Sequence, residues 1–156
     1  NYVNIVDHGS HISYAIFSYG NSDNRPIITN NTIVATRITR GIQASFADIE
    51  NNHIEKGPDQ NNDEWAIGHG DYNVIKNNTI IGMRDGIYAD DRSNNIIENN
   101  HIEPRSYGVY ANNANGEHII RNNEFIKYTT EGDWFVYATN MDNIIIFTYS
   151  LWYRSS

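Results

Sequence analysis

The chain contains no cysteine. Disulfides, thiolate zinc sites and a cysteine nucleophile are therefore excluded, and the redox compartment is not legible. Proline is limited to three residues, so turns must be built mostly from other residue types. Positive charge is also scarce: 11 Lys and Arg stand against 19 Asp and Glu, for a net charge of −8. That deficit argues against a nucleic-acid surface, which needs clustered cations to displace counterions from phosphates. It argues equally against a polybasic membrane patch. No stretch approaches the roughly 18 consecutive apolar residues of a membrane span. The N-terminus shows no signal-peptide pattern and no initiator Met, as expected of a mature form or of a piece of something longer.

What the chain has in abundance is asparagine, with 24 residues, many of them paired. The pairs are interleaved with regularly placed isoleucine, which points to order and not to a low-complexity tract. The pattern I-x-N-N-x-[I/F] occurs five times, as "ITNNTI", "IENNHI", "IKNNTI", "IENNHI" and "IRNNEF", with the first Asn at 30, 51, 77, 99 and 122. A second pattern lies upstream of each: "YAIFSY", "RGIQAS", "WAIGHG", "DGIYAD", "YGVYAN" and "WFVYAT". Six units result, the last without its Asn pair. Each is too short for a helical hairpin, and its apolar residues alternate with period two, the strand signal. The Asn pair interrupts each alternation where a turn would. One unit is then one rung of three short strands, and stacked rungs sit at a spacing of about 4.8 Å.

These residues resemble right-handed parallel β-helix proteins, the pectate-lyase-like superfamily. "DGIYADDRSNNIIENNHI" is similar to the rung repeat of that group, and the resemblance runs from Ile12 to Tyr149. It implies an all-β fold: a right-handed parallel β-helix, or solenoid, of about six rungs. Residues 1–149 are read as the repeats and 150–156 as an aromatic C-terminal cap or tail. The superfamily holds lyases, hydrolases, epimerases, tailspikes and non-catalytic stalks, so the fold alone does not choose among them.

In a stack, columns matter more than sequence neighbours. Ile28, Ile49, Ile75, Ile97 and Ile120 form one expected inward column. Ile33, Ile54, Ile80, Ile102 and Phe125 form a second, and Ile16, Ile42, Ile67, Ile87, Val109 and Val136 a third. One Asn of each pair is expected to join an internal amide ladder, since an unladdered buried amide is costly. The outward column Thr29, Glu50, Lys76, Glu98, Arg121 alternates in sign from Glu50 onward, which opposes register slips. His53 and His101 share a column with Thr79 between them. Two rungs, about 9.6 Å, is too far for one metal ion.

Candidate chemistry collects on the loops that follow the third column. Aligned by rung, Asp71 is expected near Asp91, with Asp90 and Arg92 beside them. Neighbouring carboxylates can work as acid and base on a glycosidic bond, and an arginine beside them can neutralise substrate charge. Asp, Asn and Gly are equally ordinary turn residues. His69 stands in a column of small residues, and the flanking Gly68 and Gly70 would permit a bulge there. "GHG" beside an Asp pair resembles polygalacturonases, whose catalytic Asp pair precedes their "GHG". The order here is reversed, so that mechanism is not carried over. Tyr88, Tyr110 and Tyr137 fall in one outward column with Phe17, beside the small residues Ala15, Gly41, Ala66, Gly86 and Gly108. The expectation is a shallow axial groove on whose aromatic faces sugar rings stack, with Trp65, Tyr107 and Trp134 as a second wall or as a hydrophobic contact to neighbouring subunits. The bland alternative is tyrosines covering one another.

Two functions follow. The resemblance implies a polysaccharide-binding and polysaccharide-processing domain. It acts on an acidic or neutral glycan, at or outside a cell or virion surface. Its acid/base candidates are Asp71, Asp90 and Asp91, with His69 and Arg92 assisting. The alternative is a non-catalytic shaft, adhesin or stalk whose copies form homo-oligomers or stack end to end. No resident metal or cofactor is required, although Asp71 and Asp91 could share a divalent cation.

Overall fold

The computed structural model describes residues 2–5, 13–35, 39–57, 65–68, 70–112, 116–127, 134–139 and 143–152. Its design is set at the Asn pairs. The first Asn of each pair takes the left-handed conformation: Asn30 at φ 57°, Asn51, Asn77 and Asn99 at 55°, Asn122 at 54°. Asparagine tolerates that region because its short amide bonds local backbone. One such residue turns the chain through a corner, so each unit passes from one wall to the next without a loop.

The second Asn of each pair points inward. Asn31, Asn52, Asn78, Asn100 and Asn123 are all buried. Asn52 Nδ2 donates to Asn78 Oδ1 at 3.0 Å, Asn78 Nδ2 to Asn100 Oδ1 at 3.0 Å, and Asn100 Nδ2 to Asn123 Oδ1 at 2.9 Å. The remaining Nδ2 hydrogen reaches back a rung, to the carbonyls of Ile28, Ile49, Ile75 and Ile97, each at 2.9 Å. The ladder therefore satisfies its own buried amides, which otherwise would cost about 1–3 kcal/mol apiece.

Three parallel walls result. The first is β3 (Ile27–Thr29), β6 (Asp48–Glu50), β9 (Val74–Lys76), β12 (Ile96–Glu98) and the first half of β15 (Glu117–Lys127). The second is β1 (Tyr2–Ile5), β4 (Thr32–Ala35), β7 (His53–Lys56), β10 (Thr79–Ile81), β13 (His101–Glu103) and the rest of β15. β15 runs unbroken through its Asn corner, and β17 (Asn143–Trp152) pairs along it on both walls. β17 thus runs across position 149, where the sequence reading set the end of the repeats. The third wall is β2 (Ser13–Tyr19), β5 (Thr39–Ser45), β8 (Trp65–Gly68), β11 (Asp85–Tyr88), β14 (Val109–Asn112) and β16 (Val136–Thr139). Its six strands are joined by about five turns, and no described residue is helical.

The core lies where the three expected columns meet. Ile49, Ile97, Ile54, Ile80 and Ile102 are fully buried, with Ile42, Ile67, Ile87 and Val109 beside them. Each buried isoleucine contributes about 1.5–3 kcal/mol. The register is that of like on like: Ile75 pairs with Ile49 and Ile97, and Ile80 with Ile54 and Ile102. Outside, Lys76 Nζ meets Glu50 at 2.9 Å and Arg121 meets Glu98 at 2.6 Å, so the alternating column forms rung-to-rung ion pairs.

One column runs opposite to expectation. Ala66, Gly41, Gly86 and Gly108 face inward, not outward. A Cβ on Gly86 would lie 2.6 Å from Ile102 Cγ2, and one on Gly108 2.5 Å from Phe125 Cδ1. The third wall bends at its start and comes too close to the second for larger side chains. The small residues therefore make room for the core and do not floor an outer groove.

Candidate functional site on the aromatic wall

The outer face of the third wall is aromatic because two neighbouring columns both supply rings. Tyr88, Tyr110 and Tyr137 share one column by register. Tyr88 and Tyr110 stack with centroids 5.1 Å apart and planes 5° apart, and Tyr110 and Tyr137 at 5.0 Å and 11°. Gly68 occupies that column one rung below Tyr88. Trp65, from the adjacent column, covers the gap and stacks on Tyr88 at 6.4 Å and 17°. Arg40 lies over Trp65 at 4.9 Å and donates to the Tyr14 hydroxyl at 2.9 Å. Tyr107 meets Tyr110 edge-on at 5.1 Å. The four rings named from the sequence thus form one continuous stack.

The stack uses up most of its ring faces. Between Trp65 and Tyr137 the rings cover one another, leaving edges and hydroxyls toward solvent. Sugar rings therefore have no interior face to stack on. The end of the stack differs. Trp134 is 59 % exposed, and with Val136, Tyr137, Ala138 and Thr139 it lines a cleft of about 260 Å³.

Two carboxylates act on Tyr88. Its hydroxyl donates to Asp90 Oδ2 at 3.0 Å. Asp85, at the start of the same strand, is 3 % exposed, with Arg84 Nε 3.9 Å from its Oδ1. Burial raises the Tyr88 pKa, and the hydrogen bond to Asp90 and the charges of Asp90 and Asp85 raise it further. Tyr110 is raised for the same reasons, burial first and then the Asp90 charge. Both phenols remain protonated donors at ordinary pH.

Residues 3–147 match the family model described as the right handed beta helix region. The chain belongs to the right-handed β-helix family. Comparison with curated proteins and with solved structures gave no significant match. The family fixes the architecture of this β-helix and leaves its activity open.

The loops of this β-helix separate the remaining candidates. Tyr72 N bonds Ser93 O at 3.0 Å and Phe46 N bonds Asp71 O at 2.8 Å. That register sets Asp71 opposite Ser93, not Asp91, because the Asp90–Asp91 loop is longer than the loop one rung below. Asp71 Oδ1 accepts from Ser93 N at 2.7 Å, while Arg92 Nη1 stands 3.9 Å from its Oδ2. Asp91 is exposed at φ 52°, and its N–H donates to Asn112 O at 2.9 Å. Asp71 and Arg92 are therefore brought together, Asp90 joins the tyrosines, and Asp91 caps a turn. His69 lies outside the described residues. Gly70, beside it, approaches the Ala44 carbonyl so closely that a Cβ would sit 1.5 Å away. Among the described residues no group of three or more His, Asp or Glu could hold a metal ion.

Two features went unread in the sequence. Asp85 opens the "DGIYAD" pattern without being singled out, yet it stands where other rungs carry Arg40, Trp65 and Tyr107. A second amide ladder runs through Asn73 and Asn95, with Asn73 N donating to Asn95 Oδ1 at 2.9 Å. Its next position is His118, fully buried, with Nε2 3.0 Å from Arg92 O. The signal was available: Ala47, Asn73, Asn95 and His118 each stand two residues before a column isoleucine.

Proposed function

We propose that this β-helix binds an extended polysaccharide along its third wall and processes it there. The observation that carries the reading is the Trp65–Tyr88–Tyr110–Tyr137 stack with Asp90 hydrogen-bonded to Tyr88. The hydroxyls recur once per rung, a distance close to one pyranose residue. The Tyr110 and Tyr137 hydroxyls donate to sugar oxygens, Asp90 accepts from a sugar hydroxyl, and the exposed Trp134 offers a ring to the terminal sugar. Asp90 is the first acid/base candidate, because a phenol fixes one of its oxygens. Asp85 is added to Asp71, Asp91, His69 and Arg92 as a supporting candidate. An extracellular, cell-surface or virion-surface setting accompanies this reading, and no resident cation is needed for it.

A non-catalytic shaft, with end-to-end or oligomeric assembly, is the second reading. The self-covered ring faces and the use of Asp71 as a backbone acceptor favour it. One experiment separates the two. The protein is incubated with a panel of neutral and uronate polysaccharides, and new reducing ends and unsaturated-uronate absorbance are followed. Turnover that disappears in Asp90→Asn supports processing. Turnover that persists in that variant removes Asp90. No turnover and no binding leaves the shaft.

A further inference from the structure

The first wall carries a feature that the aromatic wall does not use. Phe46, Tyr72, Asn94 and Glu117 occupy one column at its entry, just before β6, β9, β12 and at the start of β15. Phe46 has φ 52°, Tyr72 57° and Asn94 57°. Asparagine adopts this left-handed region readily, as it does at every Asn-pair corner. A bulky aromatic does so under steric strain. Two consecutive rungs accept that strain where asparagine would serve the corner better.

The two rings stack at 4.7 Å with planes 18° apart, which offsets part of that strain. Tyr72 remains 46 % exposed. On the next rung the column holds Asn94 instead of a third ring, about 4.8 Å further along. A cleft of about 200 Å³ opens there, lined by Asn94, Asn95, Ile96, Glu117 and Ile119. The cleft combines two apolar side chains, amides and an exposed carboxylate, one rung on from the half-exposed Tyr72 ring, and its lining includes no cation.

We propose that Tyr72, Asn94 and Glu117 form a second sugar-binding subsite, separate from the aromatic wall and selective for a neutral pyranose. The C–H face of the sugar packs on Tyr72 and the Ile96–Ile119 pair. The Asn94 amide and the Glu117 carboxylate take neighbouring hydroxyls. Glu117 repels a uronate, so acidic glycans are excluded from this subsite.

The test is Tyr72→Asn, which installs the residue that the next rung already tolerates at this backbone conformation. Cellohexaose, xylohexaose, mannohexaose and oligogalacturonate serve as probes, by calorimetry and saturation-transfer NMR. The expected result is unchanged or higher stability, with affinity for a neutral hexasaccharide reduced about tenfold or more. Glu117→Gln is expected to admit oligogalacturonate to this subsite, from which Glu117 excludes it in the parent chain. A loss of stability in Tyr72→Asn with unchanged affinity overturns the proposal, as does failure of the parent chain to bind any neutral probe. A hexasaccharide affinity lost in Tyr110→Phe but kept in Tyr72→Asn overturns this subsite and leaves the aromatic wall standing.

Discussion

Asn78 and Asn100 are joined by two hydrogen bonds to one oxygen: Asn78 N and Asn78 Nδ2 both donate to Asn100 Oδ1, at 2.9 and 3.0 Å. The same pair of bonds repeats one rung down, from Asn52 to Asn78. Each amide is thus acceptor for the rung below and donor to the rung above. The ladder couples neighbouring rungs where the corner has no hydrophobic side chain to spare.

Asn100→Ala removes the acceptor of two buried donors at once. The expected loss is about 2–4 kcal/mol, from stranded N–H groups more than from lost contacts. Urea denaturation measures it. A loss below about 0.5 kcal/mol would mean that water or a shifted side chain replaces the amide.

His118 gives the fold an acid-sensitive point. Burial lowers its pKa, against smaller opposing effects from the Arg92 and Asn95 backbone and the Asp71 charge. The folded state therefore resists a proton that the unfolded chain accepts near pH 6.5. Stability is unaffected above that pH and falls as pH drops below it. His118→Asn, which continues the Asn73–Asn95 column, should flatten the stability profile between pH 7 and 5. A profile as steep as that of the parent chain would assign the sensitivity elsewhere.

His101 should behave in the opposite sense. Burial disfavours its charge, but the carboxylates of Glu124, at 2.6 Å, and Glu103, at 2.8 Å, outweigh it and raise the pKa. Its contribution is fully present below the unfolded pKa and is lost as pH rises through the folded value. His101→Gln is expected to cost more at pH 5.5 than at pH 8. Equal losses at both would contradict the ion-pair account.

Arg121→Glu places a like charge beside Glu98, its partner at 2.6 Å. The pair is partly exposed, so the expected cost is only about 0.5–1 kcal/mol, shrinking as salt is added. A cost independent of salt would point to packing by the arginine stem instead.

The columns were legible because stacking repeats the same contact at every rung. Isoleucine recurs at Ile49, Ile75 and Ile97 for that reason, and Glu50, Lys76 and Glu98 alternate for its electrostatic counterpart. Loop chemistry was not legible in the same way. Asp71 was aligned by rung with Asp91, but loop length is unconstrained where no core side chain must align, and the longer loop puts Ser93 in the partner position. The direction of Gly86 was hidden too, since alternation assigns a face only while the strand stays straight. Asp85 was missed because nothing in the sequence marks the carboxylate at the start of "DGIYAD" as buried.

The central claim is that the tyrosine hydroxyls of the third wall hold a glycan. Tyr110→Phe tests it most directly, because it keeps the stack and removes only a donor. Affinity of the parent chain and of this variant for the polysaccharide panel is measured by calorimetry, alongside urea denaturation. The account predicts unfolding free energies within about 0.5 kcal/mol of each other, and an affinity about threefold or more weaker in the variant. Equal affinity at equal stability, or no binding by the parent chain, would contradict it.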